Sequence, residues 1–196
     1  MINKETIKKV NEYLENEFLQ DQARYKHIMN VLKVALDLGE IFVVDKDELT
    51  VAALLHDATK MLNFKENYYL ASKMFSEEVL NQVPIPCLHA YSAAALAKEK
   101  FDVQNQDVLN AITFHCSGRP KMSNIEKIIF VSDFIEDERD FVTDDLRGLA
   151  RIDLNKTVYL IMLQTKNYLL KNKKTISELT ELALKDYESE VGEFND

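Results

Sequence analysis

Apolar residues recur at three- and four-residue spacings along almost the whole chain. From Lys4 to Phe18 the positions Ile7, Val10, Leu14 and Phe18 carry the period of an amphipathic helix rather than the alternation of a strand. The same period predicts helices over about Gln22 to Leu38, Thr50 to Thr59, Glu66 to Leu80, Leu88 to Phe101, Asp107 to His115, Ser123 to Glu136, Asp144 to Lys171 and Thr175 to Glu188. Gly39 reads as the left-handed stop of the second helix and Asp47 as the N-cap of the third. Pro84-Ile85-Pro86 and Ser117-Gly118-Arg119-Pro120 read as breaks, because proline lacks an amide donor and turns its predecessor away from helix. Ser123 with Glu126 three residues later has the spacing of a capping box. The one strand-like run, Ile41 to Val44, is short and has no pairing partner. The expected fold is all-α, a helical bundle of roughly eight or nine helices. Residues 1–196 are read as a single domain, with a core over about 21–140 and C-terminal helices over about 144–190 packed on it.

The bulk numbers sharpen this picture. Only 4 Gly and 3 Pro punctuate the 196 residues, which suits long helices and short connections. A formal charge of −9 sets the chain against broad binding to nucleic-acid backbones, so no nucleic-acid partner is expected. A small phosphate ligand is different, because a bound metal reverses the local sign. Cys87 and Cys116 are too few for a disulfide framework and lack CxxC spacing, so reduced thiols in a cytoplasmic protein are expected. The first residues lack a signal peptide's apolar run, and no stretch approaches the ~18 apolar residues of a membrane span. The stripe Leu154, Val158, Ile161, Met162 and Leu169 should mostly pack on the domain, and any surplus apolar face would suit a homodimer.

Polar residues on apolar faces carry the chemistry. The four histidines, His27, His56, His89 and His115, fall one to a helix, and each shares its face with apolar residues at three- and four-residue offsets. Asp57 follows His56 directly, and Asp133 stands four residues after Ile129 and eight after Ile125, on a face meant for the core. One such histidine alone is ordinarily a core residue bonded to a carbonyl, and Asp133 alone could be a salt-bridge partner. Six inward polar groups each need a partner, and a divalent cation satisfies several at once. Imidazole mixed with carboxylate suits iron, manganese or zinc, and carboxylates favour a catalytic over a structural site. The spacing of Cys87 to His89 and of His115 to Cys116 leaves a His and Cys zinc clip open, which the ligand types disfavour. Lys60, four residues after His56, is the first candidate for a phosphate contact, followed by Arg119 and Arg139. Ser117 and Gly118 could offer backbone donors, or simply form a turn. Tyr91 and Phe134 are candidates for stacking a base, although aromatics at helical spacing are usually core.

The ordered set His27, His56-Asp57 in LLHDATK, His89, His115 and Asp133 resembles the signature of the HD-domain phosphohydrolases. More narrowly, RYKH, ALLHDATK, LHAYSAAALA, ITFHCSG and KMSNIEKIIFVSDFIEDERDF resemble the YqeK family of symmetrical bis(5'-nucleosyl)-tetraphosphatases, over about Arg24 to Arg139. The resemblance implies an HD-domain helical bundle with a dinuclear iron-type centre that splits diadenosine tetraphosphate into two ADP. It implies one metal held by His27, His56, Asp57 and Asp133, and a second, bridged by Asp57, held by His89 and His115, with Asp57 and Lys60 in the catalytic set. The chain departs from the usual pattern at Cys116, where threonine is commoner, and at Ser132, Phe134 and Asp137, where Ala, Tyr and Pro are usual. These departures bear on nucleoside contacts and leave every implied ligand in place. Another HD nucleotide phosphohydrolase, such as a nucleotidase, and a nucleotide-binding regulator without turnover are the alternatives. Cyclic-dinucleotide hydrolysis is disfavoured by the absence of a downstream GYP sequence.

Overall fold

The computed structural model describes residues 2–192, and among them there is no strand. Eleven α-helices follow in order: α1 Lys4–Glu17, α2 Gln22–Ile41, α3 Lys46–Leu55, α4 Phe64–Ala71, α5 Glu77–Leu80, α6 Leu88–Phe101, α7 Gln106–Phe114, α8 Asn124–Ile135, α9 Asp144–Ala150, α10 Leu154–Lys171 and α11 Glu178–Gly192. Among the described residues no helix is long and apolar enough to cross a membrane.

The short helix α3 is the axis of the bundle. Leu49, Val51, Ala52, Ala53, Leu54 and Leu55 are all fully buried, packed among α1, α2, α7 and α8. Each fully buried leucine of that run stabilises the fold by roughly 1.5–3 kcal/mol relative to exposure. A helix surrounded this completely buries whatever follows it, which is how His56 and Asp57 come to lie inside. One continuous core joins residues from α1 to α11, including Val158, Ile161 and Met162 of α10 and Tyr187 of α11.

Several boundaries differ from the periodicity reading, each for a local reason. Gly39 does not stop α2, which runs on to Ile41; a Cβ on Gly39 would lie 2.2 Å from Leu49 Cδ1, so glycine there permits close packing of α2 on α3. The left-handed turn falls instead on Val43, at φ +54°, and the strand-like run Ile41 to Val44 is the end of α2 and its turn. The N-cap of α3 is Asp45, whose carboxylate accepts from Glu48 N at 2.9 Å, rather than Asp47, and the helix ends before His56. The expected helix Glu66 to Leu80 is two. An Asn63–Glu66 capping box starts α4, the chain turns after Ala71, and Ser76 caps α5. Likewise Asp144 to Lys171 divides at Asp153, an extended residue whose side chain caps α10 by accepting from Lys156 N. The proline segment forms a short 3-10 turn, Ile85–Cys87, leading into α6. At Ser123 the glutamate half of the box forms, Ser123 N donating to Glu126 at 3.1 Å.

Candidate metal centre

Five segments converge on one point. His27 comes from α2, His56 and Asp57 from the residues just past α3, His89 from the first turn of α6, His115 from the end of α7, and Asp133 from α8. All four histidines and Asp57 are buried, while the side chain of Asp133 keeps 25% exposure. Chain geometry past α3 is fixed by successive tight turns, Ala58 N to Leu55 O and Lys60 N to Asp57 O, and by Thr59 Oγ1 donating to His89 O at 2.8 Å. Lys60 is therefore presented by a turn from Asp57, not by a continuing helical face of His56.

The imidazoles are oriented alike. His56 Nδ1 faces Ala53 O at 2.6 Å, His89 Nδ1 faces Pro86 O at 2.9 Å, and His115 Nδ1 faces Ile112 O at 2.8 Å. His27 Nδ1 faces a carboxylate instead, Glu136 Oε1 at 3.3 Å. An oxygen beside Nδ1 selects the tautomer with the proton there, which leaves each Nε2 lone pair directed at the centre, the arrangement of metal-bound histidine.

Asp57 divides its two oxygens between the rings. Oδ1 lies 2.9 Å from His89 Nε2 and 3.6 Å from His115 Nε2, whereas Oδ2 lies 3.8 Å from His27 Nε2 and 4.0 Å from His56 Nε2. Asp133 Oδ1 closes the second side, 3.1 Å from His27 Nε2. The buried atoms His27 Nε2, His56 Nε2 and Asp57 Oδ1 have no hydrogen-bond partner. Lone pairs facing carboxylate oxygens in a buried space repel unless a cation lies between them, so these residues fit a divalent metal, and His27, His56 and Asp57 form one group with ligand spacing.

The electrostatics agree with that fit. Burial opposes ionisation of Asp57, but its contacts with His115, His56 and His89 outweigh this and hold it well below the usual carboxylate range. Asp133 is likewise held low against burial, chiefly by His27. Burial pushes His56 down to about 4, so it is neutral and able to ligate at neutral pH. For His27, burial is outweighed by the neighbouring carboxylates of Asp133 and Asp57, and its pKa rises; a proton there does what a metal would do.

Cations ring the cluster. Arg24 Nη1 donates to Asp57 Oδ2 at 2.7 Å, Lys60 Nζ lies 3.1 Å from His89 Nε2, and Arg139 Nη2 lies 3.2 Å from Asp133 Oδ1. Arg24 and Glu136 escaped the sequence reading, although Arg24 is three residues before His27 and Glu136 three after Asp133, each on the ligand's face.

The loop after His115 is placed differently from the expectation. Gly118 sits at φ +63° with its N–H donating to Phe114 O at 2.8 Å, and a Cβ there would meet Met162 Cε at 2.2 Å. Arg119 makes a two-pronged pair with Glu126, both contacts at 2.6 Å, and lies over the Phe114 ring. The Gly118 amide and the Arg119 fork are thus hydrogen-bonded within the fold. Ser117 is buried, its hydroxyl donating to Gly118 O at 3.0 Å, but it also lines a cavity of about 780 Å³ beside the cluster. Cys87, Tyr91, Phe114, Phe75 and Thr175 to Leu179 complete much of that cavity. Tyr91 packs edge-on against Phe75, and Phe134 packs edge-on against Phe141.

Comparison with known proteins places this geometry in a family. The family model described as HD domain matches residues 24–137. Curated symmetrical bis(5'-nucleosyl)-tetraphosphatases from Halalkalibacterium halodurans and Bacillus subtilis are each 34% identical to the chain over 78% of its length, covering 82% and 83% of their own. A crystal structure from Clostridium acetobutylicum, described as a predicted HD superfamily hydrolase involved in NAD metabolism, superposes with a TM-score of 0.84 at 32% identity, covering 93% of this chain and 97% of that one. The chain belongs to the HD-domain family, in the YqeK branch of symmetrical bis(5'-nucleosyl)-tetraphosphatases.

Proposed function

We propose that the chain is a metal-dependent phosphohydrolase that cleaves dinucleoside tetraphosphates, such as diadenosine tetraphosphate, symmetrically into two nucleoside diphosphates. The observation that carries the reading is the division of the Asp57 oxygens, one toward His89 and His115 and one toward His27 and His56. The names of the Halalkalibacterium and Bacillus relatives supply the substrate class. His27, His56, Asp57 and Asp133 would hold one metal, and Asp57, His89 and His115 a second. Iron is our choice of metal, with manganese and zinc as alternatives that the same donors accept. When bound, the pair supplies positive charge that polarises a phosphate oxygen and lowers the pKa of a water.

The remaining residues act by position and charge. Lys60, Arg24 and Arg139, with side chains 33%, 29% and 34% exposed, form a cationic rim on an otherwise acidic protein. They orient the tetraphosphate and stabilise charge on the departing diphosphate, with Arg24 and Lys60 both beside Asp57. Glu136 fixes the His27 ring. The aromatic-lined cavity, with Ser117 on its wall, takes a nucleoside away from water.

The test is anion-exchange separation of products from diadenosine tetraphosphate, with iron or manganese, beside Asp57→Ala. ADP alone from the wild type and nothing from the variant supports the reading. Phosphate release from mononucleotides with none from the dinucleotide would move the assignment to a nucleotidase, and tight ADP binding without turnover to a regulator.

A further inference from the structure

Cys116 follows His115 directly, and its thiol faces the same space as the His89 and His115 rings. Its sulfur lies 3.3 Å from His115 Nε2 and 3.5 Å from His89 Nε2, and those two nitrogens are 3.2 Å apart. Both rings have an oxygen beside Nδ1, so two lone pairs meet at short range and one thiol proton cannot serve both. The unpartnered, buried Asp57 Oδ1 faces the same space, 2.9 Å from His89 Nε2.

A tetrahedral ion with metal–nitrogen bonds of about 2.05 Å and a metal–sulfur bond of about 2.3 Å has nitrogen–nitrogen edges of about 3.3 Å and nitrogen–sulfur edges of about 3.6 Å. The three observed edges nearly reproduce that triangle. His89, His115 and Cys116 also form a group with metal-ligand spacing.

We propose that Cys116 is a thiolate ligand of the second metal, giving that half-site a donor set of two imidazoles, one sulfur and the Asp57 oxygen, which selects zinc or another thiophilic ion there. The first half-site, built of imidazole and carboxylate, has no sulfur. The two halves of one centre therefore differ in metal preference. This rests on the metal-site reading above.

Binding releases the Cys116 thiol proton to solvent, because a coordinated thiol is deprotonated. Cys87, a free thiol beside Cys116, then turns its own S–H toward the charged sulfur and positions it. Lys60 Nζ, now 3.1 Å from His89 Nε2, moves outward to make room, as its 33% exposed side chain allows.

Cobalt(II) reports a thiolate ligand by a sulfur-to-metal charge-transfer band in the near ultraviolet, separate from the visible bands of nitrogen and oxygen ligation. Whole protein stripped by chelator is titrated with cobalt, as wild type, Cys116→Ser and Cys87→Ser, with circular dichroism to verify folding. The wild type and Cys87→Ser show the band, and Cys116→Ser binds cobalt without it. The ratio of zinc to manganese affinity falls about ten-fold or more in Cys116→Ser. Full cobalt binding by the wild type with no such band, or a band that survives in Cys116→Ser, overturns this inference and leaves the metal-site reading intact. No cobalt binding by folded wild type overturns both.

Discussion

Glu136 Oε1 lies 3.3 Å from His27 Nδ1, joining two residues 109 positions apart across α2 and the end of α8. The other oxygen is fixed by Asn30 Nδ2 at 3.1 Å and by the Glu138 amide at 2.8 Å, so the carboxylate cannot turn away. A carboxylate behind a ligating histidine orients the ring and raises its basicity. Glu136→Gln should therefore weaken metal binding about 10- to 100-fold with the fold intact. Competition against a chelator of known affinity checks it; unchanged affinity would remove Glu136 from the centre.

Lys60 should act on substrate and not on metal retention. Its Nζ is 3.6 Å from Asp57 Oδ1 and a third of its side chain faces solvent. Loss of a hydrogen bond to a charged phosphate corresponds to about 1.5–3 kcal/mol, so Lys60→Ala should lower kcat/KM by about 10- to 100-fold at unchanged metal content. Steady-state kinetics beside metal analysis separates this from loss of a ligand.

The metal-free protein should lose stability as pH falls below neutrality, partly through His56. Burial pushes its pKa down to about 4 from 6.5, so between those values the unfolded chain binds a proton that the folded protein refuses. The stabilisation is present above pH 6.5 and drains away as pH falls toward 4. By the lower end the accumulated loss amounts to about 3 kcal/mol. Urea unfolding of metal-free wild type and His56→Asn across this window should show a shallower loss in the variant, and parallel curves would contradict the assignment.

The convergence of the six candidate ligands was legible because polar residues on apolar helical faces stand out against a clear period, and their flanking motifs resemble a known family. Arg24 and Glu136 were not, because each lies in a charged stretch that reads as solvated surface, and only tertiary packing turns it inward. The same limit explains the helix counts. The apolar period runs through Ser72 to Ser76 and Arg151 to Asp153, where capping by Ser76 and Asp153 overrides it. Gly39 carried a true signal with two readings, and the proximity of Leu49 decides for close packing over a helix stop. Arg119 looked free in sequence because its partner, Glu126, was already accounted for as a helix cap.

Val43 offers a test of the backbone reading. It holds a left-handed conformation at φ +54° with 90% exposure, so its β-branched side chain is strained and buries little. Left-handed geometry costs an ordinary residue about 1–2 kcal/mol, partly offset by glycine's larger entropy in the unfolded chain. Val43→Gly should stabilise by about 1 kcal/mol and raise Tm by about 2–4 °C. A fall in Tm on a calorimetric scan would contradict the turn.

Hydrolysis of diadenosine tetraphosphate in heavy-oxygen water, followed by mass spectrometry of the nucleotides, reports both the bond that breaks and the attacking group. If water activated between the two histidine sets attacks an inner phosphate, ADP is the sole nucleotide product and one ADP of each pair carries one heavy oxygen on its terminal phosphate. AMP with ATP, or no turnover by protein that retains its metal, would contradict the proposed reaction.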